Sequence, residues 1–207
     1  MGMDQSLLSR IRLALAAAAL GVGAAPAGAQ ETGTPVFSAP VRTFSSHELG
    51  LSISSPEGAD LGLEGFAGIA SGRGDWGFRL GFVDRGRGAD LVLGARYRAP
   101  LFAHSADFPL DGALTVGLGA SFDDGTSVLR VPIGLSLGRA VDIGSSDVRL
   151  IPFLHPALIP TFREGDNDLA LTLGLGLDLQ VARQLDLRVS GAFGDVEGFA
   201  VGVVWVR

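Results

Sequence analysis

From Leu49 onward, apolar residues alternate with small or polar ones at a period of two, and Gly, Asp and Pro break the pattern at short intervals. Successive side chains of a β-strand point to opposite faces, so this pattern predicts strands with one uniform face each. The longest case is Asp168 to Leu179, where Leu169, Leu171, Leu173, Leu175, Leu177 and Leu179 share one face. Ala170, Thr172, Gly174, Gly176 and Asp178 share the other. Trp76, Phe78, Leu80 and Phe82 repeat the arrangement against Gly77, Arg79 and Gly81. No stretch of helix length after residue 30 carries a 3.6-residue period.

The segments near 49–55, 61–70, 75–84, 90–98, 113–122, 127–138, 148–162, 168–181, 184–193 and 197–206 give ten strands. An eight-stranded wall is the alternative, with the first hairpin left outside it. Most segments have about 10 residues, the length of a tilted membrane-crossing strand. Their separators are hairpin-like: Arg85-Gly86-Arg87-Gly88, Asp123-Asp124-Gly125, Gly165-Asp166-Asn167 and Gly194-Asp195. A meander of this kind predicts an all-β, up-and-down antiparallel barrel.

Residues 1–29 read as a secretory signal peptide. Arg10 and Arg12 precede the apolar run Leu13 to Ala25, and Ala27-Gly28-Ala29 is a small-x-small cleavage site. Residues 30–47 lack periodicity and are expected to form an irregular periplasmic lead-in to a barrel over 48–207. The chain has no cysteine, so neither disulfides nor thiol chemistry contribute. Its formal net charge is −6, and loss of residues 1–29 removes two arginines and one aspartate, leaving it more acidic. An acidic chain is a poor match for nucleic acid, whose phosphates need a basic face.

The second face of the strands separates a membrane barrel from a soluble lipocalin-like one. A soluble barrel shows water an outer face rich in Lys, Glu and Thr. This sequence has no lysine, and the second face is mostly Gly, Ala and Ser, which suits a crowded interior. The leucine face is almost uncharged, as contact with hydrocarbon requires. A closed barrel also pairs every backbone polar group, which lipid demands.

The run LGLGLDLQVARQLDLRVSGAF, followed by GFAVGVVWVR, resembles the last three strands of small outer-membrane barrels of the OmpA/OmpW type. The resemblance implies a tight periplasmic turn at Ala182-Arg183-Gln184. It also implies outer-membrane lipid and the barrel-assembly machinery as partners. In that group the final strand ends in an aromatic residue, whereas Trp205 here is followed by Val206 and Arg207. With a periplasmic carboxyl end, the turns near 84–89, 123–126, 163–168 and 194–197 face outward. They are short and mostly acidic, whereas adhesins and receptors usually display long outer loops.

On the inner face the register places Glu64, Arg79, Arg96, Arg98, Arg130, Asp178, Asp186 and Arg188. This set implies a weakly basic lumen filled by ion pairs, or a narrow channel preferring anions. His155 also points inward, and no G-x-S-x-G serine or paired-histidine spacing accompanies it. It reads as a hydrogen-bonding lumen residue rather than a catalytic or metal-binding one. Pro152, Pro156 and Pro160 lie four apart on one strand, so their missing N–H groups face the same neighbour. With Pro132 they predict a weakened seam. Such seams resemble those of lipid-modifying outer-membrane barrels, whose catalytic motifs are absent here.

Three functions follow as expectations. The first is a structural or narrow small-solute barrel with a mostly filled lumen. The second is lateral transport or binding of a hydrophobic molecule through the proline seam. The third, an enzyme acting on lipid, has no nucleophile, metal or acid–base motif behind it, and no cofactor is implied.

Overall fold

The computed structural model describes residues 30–40, 46–86, 88–123, 126–143 and 148–207. The signal segment expected over 1–29, Arg87, and the Asp124-Gly125 part of an expected turn lie outside the described residues. Every regular element among them is a strand: β1 (Glu48–Pro56), β2 (Leu61–Ala70), β3 (Asp75–Asp84), β4 (Ala89–Phe102), β5 (Asp111–Asp123), β6 (Thr126–Arg130), β7 (Ile133–Gly138), β8 (Val141–Asp142), β9 (Arg149–Arg163), β10 (Asp166–Ala182), β11 (Leu185–Gly194) and β12 (Gly198–Val206).

β6, β7 and β8 form one position in the wall, since all three pair with β9 in a single continuous register. The remaining strands pair antiparallel with their sequence neighbours. β12 returns to β1, from Glu48↔Val206 to Pro56↔Gly198. The result is a closed antiparallel ten-strand barrel with no free edge, as the ten-segment reading expects. The predicted tight turn between the last hairpins is Arg183-Gln184, joining β10 to β11.

The outer surface carries the uniform apolar face. Leu51, Leu80 and Leu169 are each about 60% exposed, at 61%, 59% and 60%. Exposure of so many leucines is costly in water and favourable against acyl chains. Aromatic rings collect toward the two rims. Phe82, Phe122, Phe162, Phe193 and Phe199 stand near the rim formed by the β3–β4, β5–β6, β9–β10 and β11–β12 turns. Trp76, Tyr97 and Trp205 stand near the opposite rim, Trp76 tilted against Tyr97 at 4.9 Å between centroids. Such belts are the mark of a wall held at two membrane–water boundaries.

The lead-in departs from its expected place. Residues 30–40 carry no regular element and lie buried inside the barrel. A ten-stranded wall whose inner face is largely Gly, Ala and Ser encloses more room than its own side chains fill. The segment occupies that room.

Candidate functional site

The inner segment starts in a tight turn, with Gly33 N donating to Gln30 O at 2.9 Å and Gly33 at φ 79°. It then bends at Thr34, runs from Pro35 to Ala39 with neither turn nor bend, and bends again at Pro40. Its backbone passes so close to the wall that side chains are excluded there. A Cβ on Gly119 would stand 2.9 Å from Glu31 Cα and closer still to the Glu31 carbonyl. A Cβ on Gly174 would meet the Phe37 ring at 2.6 to 2.8 Å. These glycines serve close approach rather than turning.

Arginines clamp the segment. Arg79 Nη1 donates to Val36 O at 3.0 Å, and Arg98 Nη1 donates to Ala39 O. Arg188 Nη1 reaches Ser38 Oγ at 3.4 Å. Each is paired with a carboxylate of the wall: Arg79 with Glu64 at 2.6 Å, Arg98 with Asp75 at 2.8 Å, Arg188 with Asp178 at 2.8 Å. These six groups are almost wholly buried, where an ion is tolerated only when paired and hydrogen-bonded. Thr34 Oγ1 donates to Glu64 Oε2 at 2.6 Å, joining the segment to the first pair.

Part of the inner wall on β9, β10 and β11 is apolar. The Phe37 side chain is fully buried among Ile151, Phe153, Ala157, Ile159, Ala170 and Ala192. His155 is buried there too, with Nε2 3.0 Å from Thr115 Oγ1 and its ring 5.2 Å from that of Phe37. Between segment and wall, two internal cavities measure about 10 Å³ each, room for one water molecule.

All eight charged residues expected in the lumen face it. Glu64, Arg79, Arg98, Asp178, Asp186 and Arg188 are buried, as is Arg130, whose Nη1 donates to Ser121 Oγ at 3.0 Å. Arg96 is half-buried on the same face, with its guanidinium against Gly77. The expected basic balance does not hold. Glu31, Glu48, Asp75 and Asp90 are also buried, so acids offset the arginines and the basis for an anion preference is gone.

Pro152, Pro156 and Pro160 project from the outer face of β9. Their carbonyls face β6 and β7: Val131 N donates to Pro160 O at 2.9 Å and Arg139 N to Pro152 O at 3.3 Å. The return bonds are missing, and the ladder skips the positions opposite Pro152, Pro156 and Pro160, whereas β9 and β10 pair without a gap. Pro132 does not belong to this seam. Its carbonyl accepts from Gly117 N of β5 at 2.8 Å, so its missing N–H faces the other neighbour. Alternate residues of a strand bond to opposite sides, and Pro132 has the parity that points away from β9.

No family model and no curated protein matches the sequence. Among solved structures, the chain is similar to the β domain of the Bordetella autotransporter Brka at 13% identity and TM-score 0.52, covering 77% of this chain and 98% of that one. The fold is that of a transmembrane β-barrel. A designed transmembrane β-barrel aligns at 18% identity and TM-score 0.41, over 78% of this chain and 95% of that one. The KdgM porin in complex with disordered oligogalacturonate aligns at 8% identity and TM-score 0.43, over 76% and 98%.

Proposed function

We propose that this protein is an outer-membrane barrel whose lumen is sealed at rest by residues 30–40, a structural element of the envelope that passes small solutes only when the segment moves. The segment's complete burial inside the wall carries this reading. Export by a signal peptide over 1–29, insertion by the barrel-assembly machinery and residence among outer-membrane lipids belong to the same proposal. The buried charges act as the fastening of the segment rather than as a selectivity filter, and no catalytic step is assigned to His155. Planar-bilayer recording of the full-length protein tests the reading. Silence is expected, and a steady current from the unmodified protein overturns it.

A second reading rests on the proline seam, where a hydrophobic molecule passes between lumen and bilayer beside β9. The apolar recess of the outer wall does not favour it. That recess, about 520 Å³ over Gly65 and Ala67 and flanked by Leu51 and Phe78, lies at β1–β3 on the far side of the barrel. Uptake of a hydrophobic probe that is unchanged after Pro152→Val, Pro156→Val and Pro160→Val together would rule out the seam as a gate.

A further inference from the structure

We infer that the lumen is a binding site for an extended peptide bearing one aromatic anchor, and that residues 30–40 are its tethered ligand. This rests on the sealed-barrel reading and adds what kind of molecule the wall recognises. Much of the hold on the segment is through its backbone. The carbonyls of Pro35, Val36, Ser38 and Ala39 accept from Ser190 Oγ (2.7 Å), Arg79 Nη1 (3.0 Å), Ser136 Oγ (3.0 Å) and Arg98 Nη1. The Phe37 N–H donates to Ser190 Oγ at 3.2 Å. These donors come from β3, β4, β7 and β11, so the site surrounds an extended chain on several sides. Backbone contacts supply affinity without reading sequence, and side-chain pockets supply choice.

One side chain of the segment enters a pocket made for it. The Phe37 ring has no exposed surface, and Gly174 leaves the space its edge fills. The neighbouring Thr34, Val36, Ser38 and Ala39 are small. The arginine donors do not depend on the peptide for their position, because Glu64 and Asp75 hold them. A preorganised set of donors around one buried aromatic is how a binding site is built, since little ordering remains to be done on association. The pocket therefore takes extended peptides with phenylalanine at one position and small residues beside it.

The test uses the full-length chain with Phe37→Ala, refolded into planar-bilayer-competent vesicles with a synthetic peptide of residues 30–40 or the same peptide carrying alanine in place of the phenylalanine. The variant alone is expected to conduct, and the phenylalanine peptide to close it. Its midpoint should be at least about tenfold lower than that of the alanine peptide, the difference a buried aromatic anchor makes. Equal midpoints, or a conducting variant that neither peptide closes, overturn the inference while leaving the silence of the unmodified protein intact. Where Phe37→Ala does not refold, the full-length Ser38→Cys chain gives the answer, as the protein has no native cysteine. Refolding at millimolar peptide, the level needed against a short tether, should expose the introduced thiol to a membrane-impermeant maleimide with the phenylalanine peptide only. Equal labelling with both peptides or with none overturns it.

Discussion

Gly119→Ala is the substitution that separates a wall shaped around the inner segment from one that merely contains it. Gly119 faces inward on β5, and its new Cβ would lie 2.9 Å from Glu31 Cα, with the Glu31 carbonyl nearer. Ordinary contact begins at 3.4 Å. The segment must therefore retreat by about half an ångström at Cα and further at the carbonyl. The obstacle is backbone, so no side-chain rotation relieves it. Retreat is opposed by the turn that the Gly33–Gln30 hydrogen bond closes and by Arg130 behind Gly33, whose Cζ a Cβ there would meet at 3.1 Å. Overpacking of this kind costs about 1–3 kcal/mol. Alanine in place of glycine returns about 0.5–1 kcal/mol through the unfolded chain and strand. The sealed state thus loses stability while the wall alone gains.

Gly65→Ala supplies the control, because its Cβ points outward with Leu51 Cδ2 at 3.7 Å and Leu80 O at 3.9 Å. It should raise the urea midpoint in vesicles and remain silent in a bilayer. Gly119→Ala should not raise the midpoint and should admit bursts of current. Combined with Phe37→Ala, which alone costs about 3–5 kcal/mol, it should cost less than the sum, since both unseat one segment. A Gly119→Ala protein as stable and as silent as Gly65→Ala would refute the reasoning.

Glu64→Gln leaves the Arg79 guanidinium buried without its charge partner and should lower stability by about 3–5 kcal/mol, read as a fall in urea midpoint. The Glu64→Gln, Arg79→Met double variant should lose less than the single, and equal losses would count against the pair. Replacing Pro152, Pro156 and Pro160 together by valine restores three donors to the β6/β7–β9 ladder, each about 1 kcal/mol net in water and more in lipid. The boiling temperature at which the folded band shifts on a denaturing gel should rise, and no rise would mean the seam is already satisfied. Leu177→Arg, outward on β10 between Pro152 and Val189, should cost about 2–4 kcal/mol at mid-membrane. Full insertion into vesicles at wild-type yield would contradict the lipid-facing assignment.

The wall was legible because its determinants are local. The leucine stripe of β10 shows its face, length and turn residues within one run, and the same holds for the other strands. The segment within the lumen was not legible, because it makes no ladder and so has no period. Its contacts come from far along the chain, such as Ser190 Oγ to Pro35 O, 155 residues apart. The available signal lay in the wall. Inward Gly94, Gly117, Gly119 and Gly174 leave more space than a barrel of this size can keep empty. The charge balance went astray at strand ends. Glu48, Asp75 and Asp90 stand at or beside the first residue of β1, β3 and β4; Asp75 shares the parity of Arg79 and Asp90 that of Arg96, so the alternation carried to the strand ends includes both. Pro132 lies near the β9 prolines in the wall, but parity, not nearness, sets the direction of its hydrogen bonding, and its carbonyl faces β5.

The closing seam between β1 and β12 joins the strands farthest apart in sequence, over nine opposed positions. Phe37, sealed within, touches groups contributed by β9, β10 and β11. The cavities beside the segment hold one water each, so the wall closes directly on it. A segment already in place when the last row of hydrogen bonds zips shut needs no passage through a narrow mouth. The earliest-made part of the described chain then acts as a mandrel, and the later strands wind onto it. Damage to residues 30–40 should thus appear first as slow or misregistered assembly, before any solute has had a path to cross.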